Sequence, residues 1–385
     1  MRSRVWTFAL VLSMLFQAGC SPSRNIEALV VLGDIAAGSR PSRLKNKTAP
    51  PFRETIRYTF EGSEDTVDVY RPGGDLAAEA VVVLVPGVVR AGKDDPRLIA
   101  FANTLARARF LVFVPDLVNL RHLNVSSKDA AALSRAIRYA ASHTGVGADA
   151  SVGMVAFSYA AGPALLAAMA EETRHNVRFV YAVGPYFSLE MVVTYLTTGH
   201  YRQNADSPWT VSAPSPYAIW VFVHSCAAWL EDPDDRRILT AIADAKLADP
   251  EAEISVALAR MGPEGRAIFA LLDNSDPEKV PGLIAGLPAP LLSELRALDV
   301  STRDLGDLKA RIILIHGRDD RLIPHTESLA LASALASGRA SLSVIENLEH
   351  VELRLSNISD AFKLWQAVRT LLEERDQMPR PTWSE

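Results

Sequence analysis

The sequence predicts an α/β protein: a mainly parallel sheet with helices on both faces, opened by an antiparallel hairpin and interrupted by an inserted helical cap. Three observations carry that expectation. Apolar, β-branched runs recur at residues 80–85 (AVVVLV), 110–114, 152–157, 177–183 (Arg178 apart) and 312–315, and more weakly at 342–345, as strands buried on both faces should read. Helix-like segments fall between them at 97–107, 128–142, 159–172, 326–336 and 358–374, so strand and helix alternate as parallel crossovers require. From Pro185 to about Asp307 the rhythm stops. That interval holds helix-like runs such as 236–246 and 252–260, carries no buried-strand pattern, and is far longer than a crossover needs.

At 385 residues the chain is long enough for one large domain with an insertion, and 49% hydrophobic against 22% charged residues is the balance of a chain that buries a core. The formal charge of −5, with no run of Lys or Arg long enough to track a phosphate backbone, argues against nucleic acid as a partner.

The elements follow in order. Residues 1–19 have a basic start (Arg2, Arg4) and an apolar run over 5–16, shorter than the roughly 20 residues that a spanning helix needs. Small residues then precede Cys20. The segment resembles a bacterial lipoprotein signal, with Gln17 where that pattern has an aliphatic residue. The resemblance implies export, lipidation of Cys20 as the first mature residue, and a periplasmic or membrane-tethered protein; an ordinary cleaved signal is the alternative. Residues 20–51 read as a short helix over 26–36 and a linker. Two alternating runs, 54–60 and 66–70, flank Glu61-Gly62-Ser63-Glu64-Asp65 and read as a hairpin. The organisation is therefore 52–184 as the first part of the core, 185–307 as the cap, 308–376 as the second part of the core and 377–385 as a tail.

Chemistry is concentrated at three places. Ser158 directly follows the 152–157 run and precedes a helix-like segment, within Ala156-Phe157-Ser158-Tyr159-Ala160. A serine on a sharp strand-to-helix turn stands above the sheet, beside amides and a helix dipole that suit a developing oxyanion. A plain helix N-cap is the other reading of that serine. Further on, the 312–315 run leads into His316-Gly317-Arg318-Asp319-Asp320, and the 342–345 run into Glu346-Asn347-Leu348-Glu349-His350.

This arrangement resembles the α/β-hydrolase fold, as a serine esterase or lipase with a helical cap, over residues 54 to about 374. The pentapeptide has alanine at both ends where the family pattern has glycine. The resemblance implies a catalytic triad in chain order, Ser158 as nucleophile, Asp320 as acid and His350 as base. Asp319 is excluded in favour of Asp320 only by the family's spacing. It also implies an oxyanion hole from the backbone N–H groups of Val88 and Tyr159, with Pro86-Gly87 standing where the family often has His-Gly and Gly87 giving a sharp turn. The activity implied is hydrolysis of a small-molecule carboxylic ester, with amide or peptide cleavage and a non-catalytic binding lipoprotein as alternatives. No cofactor or metal is expected, because Cys226 lacks a partner cysteine and no glycine-rich phosphate loop occurs.

Two regions read as structure. Asp95 before Pro96 is a helix start, Asp95 the N-cap and Pro96 the first helical residue. The aromatics of the insertion read mostly as its own core, with Tyr186 and Phe187, just after the 177–183 run, expected beside the pocket.

Overall fold

The computed structural model describes residues 22–146, 149, 151–349, 352–353 and 358–382. Helix α1 (Pro22–Ala37) and the short α2 (Arg43–Lys47) precede the hairpin of β1 (Phe52–Phe60) and β2 (Ser63–Arg71). Its turn is Glu61-Gly62, with φ of +52° and +78°. Two left-handed residues in a two-residue loop match the twist of the strands they join, and glycine holds one of those positions at no steric cost. The segment 43–47, read as linker from its Pro, Ser and basic residues, is helical because Ser42 accepts the Lys45 N–H at 3.1 Å and Leu44 is buried beneath it.

The core continues through β3 (Ala80–Val85), α3 (Pro96–Arg107), β4 (Phe110–Pro115), α4 (Val118–Arg121), α5 (Ser127–His143), β5 (Val152–Phe157), α6 (Ala161–Met169) and β6 (Val177–Val183). After the insertion come β9 (Arg311–Gly317), α14 (Thr326–Ala334), β10 (Ala340–Ile345), the ribbon of β11 (Leu348–Glu349) and β12 (Glu352–Leu353), and α15 (Ile358–Asp376). The strands form one sheet in the order β1-β2-β4-β3-β5-β6-β9-β10, parallel from β4 to β10, with β2 antiparallel to both β1 and β4.

Strand β3 shows how the sheet is sandwiched. Val81, Val83 and Val85 enter one core with Leu133 and Ile137 of α5 and Leu165 of α6. Ala80, Val82 and Leu84 enter the other, with α1, α3 and α15. Alternate side chains point to opposite faces, so an unbroken apolar run is the sequence of a strand covered twice. Helix starts are fixed locally. Asp95 accepts the Arg97 N–H at 2.8 Å with Pro96 first in α3, and Ser126 with Asp129 forms a capping box on α5.

Between β6 and β9 lie α7 (Leu189–Thr198), the short ribbon β7 (His200–Tyr201) with β8 (Thr210–Val211), α8 (Pro216–Ala227), α9 (Pro233–Ala248), α10 (Ser255–Ala259), α11 (Pro263–Leu272), α12 (Val280–Ala285) and α13 (Ala289–Leu298). These helices enclose a separate apolar cluster that includes Val223, Leu239, Ile268 and Leu291. The aromatics divide between the two layers. Trp220 and Trp229 pack on that cluster, whereas Tyr186 and Tyr195 are fully buried in the sheet's own core.

Candidate active site

Strand β5 ends at Phe157, and Ser158 takes φ +56° before the chain enters a single 3-10 turn and α6. A non-glycine residue held in the left-handed region is strained, and it persists only where the surroundings fix it. This left-handed conformation is not that of an N-cap, whose φ is negative. Phe157 and Ala160 hold the cap positions, and neither makes a side-chain cap. The turn concentrates its unusual backbone at Ser158, while Ala160 has φ −66°, so the alanines flanking the serine are sterically acceptable. Both are fully buried in the sheet core.

Asp320 lies in the loop after β9 and is 5% exposed, while its neighbour Asp319 is exposed. One carboxylate oxygen of Asp320 accepts the N–H groups of Leu322 (2.8 Å) and Ile323 (3.1 Å). His316 supports the same loop from below. Its Nε2 lies 2.9 Å from the Ile323 carbonyl and its Nδ1 2.7 Å from Ser328 Oγ, which a neutral ring with its proton on Nε2 satisfies. Nε2 is also 3.6 Å from Asp320 Oδ2.

The ends of β5 and β9 are separated by β6 alone, about 10 Å across two strand spacings. Tyr159, next to the serine, closes part of that gap: its hydroxyl donates to the Leu322 carbonyl at 3.2 Å. The phenol is pushed above its ordinary pKa by burial first, then by the charge of Asp320. It is a neutral donor at any ordinary pH.

His350 lies outside the described residues, as does Cys20. The chain leading to position 350 is well fixed. Asp360, fully buried at the start of α15, accepts the backbone N–H groups of Glu346 and Asn347, each at 3.0 Å. Gly317 at the end of β9 lets the Leu348 carbonyl approach so closely that any Cβ would overlap it.

Val88 follows β3 and is buried at 7%; its carbonyl accepts from the Tyr217 hydroxyl at 3.3 Å. Gly87 departs from expectation. Its φ is not left-handed and a Cβ there would meet nothing, so the sharp bend of this loop falls instead at Gly92, φ +52°, over which the Arg121 stem packs.

The insertion contacts the same loops. Ser215 N–H donates to the Arg321 carbonyl (2.8 Å), Arg321 Nε to the Ala213 carbonyl (2.9 Å), and Arg90 pairs with Asp244 at 2.6 Å. An apolar cavity of about 50 Å³ lies beneath it, lined by Tyr159, Tyr186, Leu189, Val192, Val221 and Phe222. Tyr186 is scaffold here as well as lining. Its hydroxyl donates to Leu298 at 3.0 Å, and its ring occupies the space that a side chain at Gly162 would need. Phe187 offers its N–H to Glu327, a buried carboxylate of α14 that also accepts from Ser188 (2.9 and 2.7 Å).

Solved structures resemble this one at low sequence identity. The rice cell wall degrading esterase LipA from Xanthomonas oryzae is 16% identical with a TM-score of 0.50, over 85% of this chain and 89% of that one. The chain has the α/β-hydrolase fold. A serine hydrolase from Cycloclasticus zankles aligns over 84% of this chain and 98% of its own, at 12% identity and TM-score 0.44. An acylaminoacyl peptidase from Pyrococcus horikoshii aligns over 89% and 44%, at 10% identity and TM-score 0.47. No family model and no curated protein matches the sequence. Among the described residues, no group of three or more His, Cys, Asp and Glu is disposed to hold a metal ion, and no helix is long and apolar enough to cross a membrane.

Proposed function

We propose that this α/β-hydrolase cleaves a carboxylic ester through an acyl-enzyme. His350 takes the proton of Ser158 Oγ as that oxygen attacks the ester carbonyl carbon, and the Val88 and Tyr159 N–H groups receive the oxyanion. The C–O bond to the alcohol breaks, and the alcohol leaves with the proton held by His350. Water then attacks the acyl carbon, giving its proton to His350, and the acid departs as Ser158 recovers its own. Asp320 orients the imidazole and stabilises its cation.

The single observation that carries this reading is the left-handed backbone at Ser158, at the carboxyl end of a central strand and the head of a helix. Ligands of open α/β sheets bind outside those strand ends. The contacts of the insertion with the Val88 and Arg321 loops support its role as a cap roofing Ser158. The small apolar cavity beside Tyr159 supports a short acyl group. Labelling of the purified protein with a fluorophosphonate is the direct test: stoichiometric labelling abolished by Ser158→Ala is expected, and an unlabelled protein would overturn the hydrolase in favour of a binding protein on the same fold.

The composition of residues 1–20 supports export and lipid attachment at Cys20. Intact mass of the protein recovered from its native membrane tests this, and an unmodified N-terminus at another residue would overturn it.

A further inference from the structure

At the opposite end of the sheet, where the parallel strands begin, residues at the starts of β6, β9 and β10 surround an open recess of about 660 Å³. Arg174, Arg178, Lys309, Arg311 and Arg339 line it, with His175 at its rim. The carboxylates are Asp149 and Glu374 in the lining and Asp307, which pairs with Arg174 at 2.6 Å. Glu374 is buried and shared between Arg178 (2.9 Å) and Arg311 (2.8 Å). Lys309 and Arg339 donate to backbone carbonyls, of Gly306 for the first and of Leu308 and Ala310 for the second, and neither forms an ion pair among the described residues. Five cations therefore face three carboxylates on a chain whose net charge is −5.

A second observation concerns where the chain enters the fold. The first two turns of α1 are clamped to the last turn of α15 by ion pairs of Arg24 with Asp376 and of Glu27 with Arg375. Arg375 also pairs with Glu79, beside the start of β3. Glu374 of the same helix end bonds Arg178 and Arg311 of the recess, and Gln377 just beyond it bonds Arg178. The entry of α1 and the basic recess thus share one helix end. Cys20 stands two residues before the start of α1 at Pro22.

We propose that this amino-end face docks on a bilayer containing anionic phospholipid, the recess taking headgroup phosphates, with the Ser158 end directed away from the membrane. A lipid on Cys20 would hold the same face against the bilayer, yet the recess makes its own contribution, and the docking is independent of the reaction at Ser158. Each Lys or Arg brought near an anionic surface is worth about fivefold in partition, a gain that salt screens.

The test is co-sedimentation of the full-length protein with phosphatidylcholine vesicles, with and without phosphatidylglycerol. A lipid anchor inserts into both kinds, so the ratio of the two partition coefficients isolates the charge effect. A ratio well above one, falling with salt, is expected for the unaltered protein. In Lys309→Ala/Arg174→Ala it should drop by about 25-fold or to unity, provided that circular dichroism shows the fold intact. Arg237→Ala/Arg260→Ala, on the insertion, removes the same formal charge and should leave the ratio unchanged. A ratio of one for the unaltered protein, an unchanged ratio in the recess variant, an equal drop in the insertion variant, or displacement from anionic vesicles by inorganic phosphate at constant ionic strength would each overturn the proposal. The last result would mark the recess as a small-anion site.

Discussion

Replacing Ser158 separates the chemistry of the turn from its backbone energetics. In Ser158→Ala the oxygen of the proposed nucleophile is lost while a Cβ remains at φ +56°, so folding stability should change by less than about 0.5 kcal/mol. Ester turnover should fall by about 10⁴-fold or more, equivalent to roughly 5.5 kcal/mol of transition-state stabilisation. Ser158→Gly is equally inactive but relieves the left-handed strain, which costs a non-glycine residue about 1–2 kcal/mol. The greater freedom of glycine in the unfolded chain takes back about 0.4–1 kcal/mol. The glycine variant should therefore be about 0.5–1 kcal/mol more stable than the alanine variant. Urea unfolding of the three proteins reads stability, and nitrophenyl ester hydrolysis with fluorophosphonate labelling reads chemistry. Turnover surviving in Ser158→Ala would refute the nucleophile; a glycine variant no more stable than alanine would refute the strain assigned to this turn.

If Asp320 is the acid of the proposed triad, Asp320→Asn should reduce kcat by about 10³- to 10⁴-fold, whereas Asp319→Asn, at an exposed position, should be nearly silent; the reverse ranking in a kinetic comparison would reassign the acid. Glu327 is pushed up from 4.5 to about 7, chiefly by burial, with its bonds to the Phe187 and Ser188 N–H groups opposing the shift. The folded state then holds a proton that the unfolded state releases, so this group costs nothing below about pH 4.5 and weakens the fold progressively up to about pH 7, by about 3 kcal/mol in all. Glu327→Gln should flatten that part of the stability profile measured by urea unfolding, and a profile parallel to the unaltered protein's would exclude the assignment. Gly162→Ala drives a methyl into the buried, hydrogen-bonded ring of Tyr186 and should cost about 1–3 kcal/mol; unfolding midpoints equal to those of the unaltered protein would show that the ring can move aside.

The sequence by itself determined the core. Strands buried on both faces have almost no polar position to spend, so 80–85, 152–157 and, apart from Arg178 near its start, 177–183 announce themselves as apolar runs with the boundaries that the structure has. The candidate site is written locally only as position: Ser158 sits at the junction of two such patterns and Asp320 follows another strand, while the burial of Asp320 and the exposure of Asp319 are visible in the structure alone. Segment 43–47 shows where local composition misled: a buried Leu44 and a serine cap outweigh a polar, proline-flanked context.

What only the tertiary structure decided are roles that exist through partners distant in the chain. Tyr186 belongs to the sheet core because it fills the space above Gly162 and reaches Leu298, and neither residue is near it in sequence. Gly317 is required by the Leu348 carbonyl, Asp360 by the amides at 346 and 347, and Glu327 by those at 187 and 188. The basic recess gathers residues 174, 178, 309, 311 and 339, each an ordinary surface cation when read alone. Burial and strand periodicity are written in neighbouring residues, because they depend on local alternation. Shape and charge at a site are sums over segments that only folding brings together, so no window of sequence holds them.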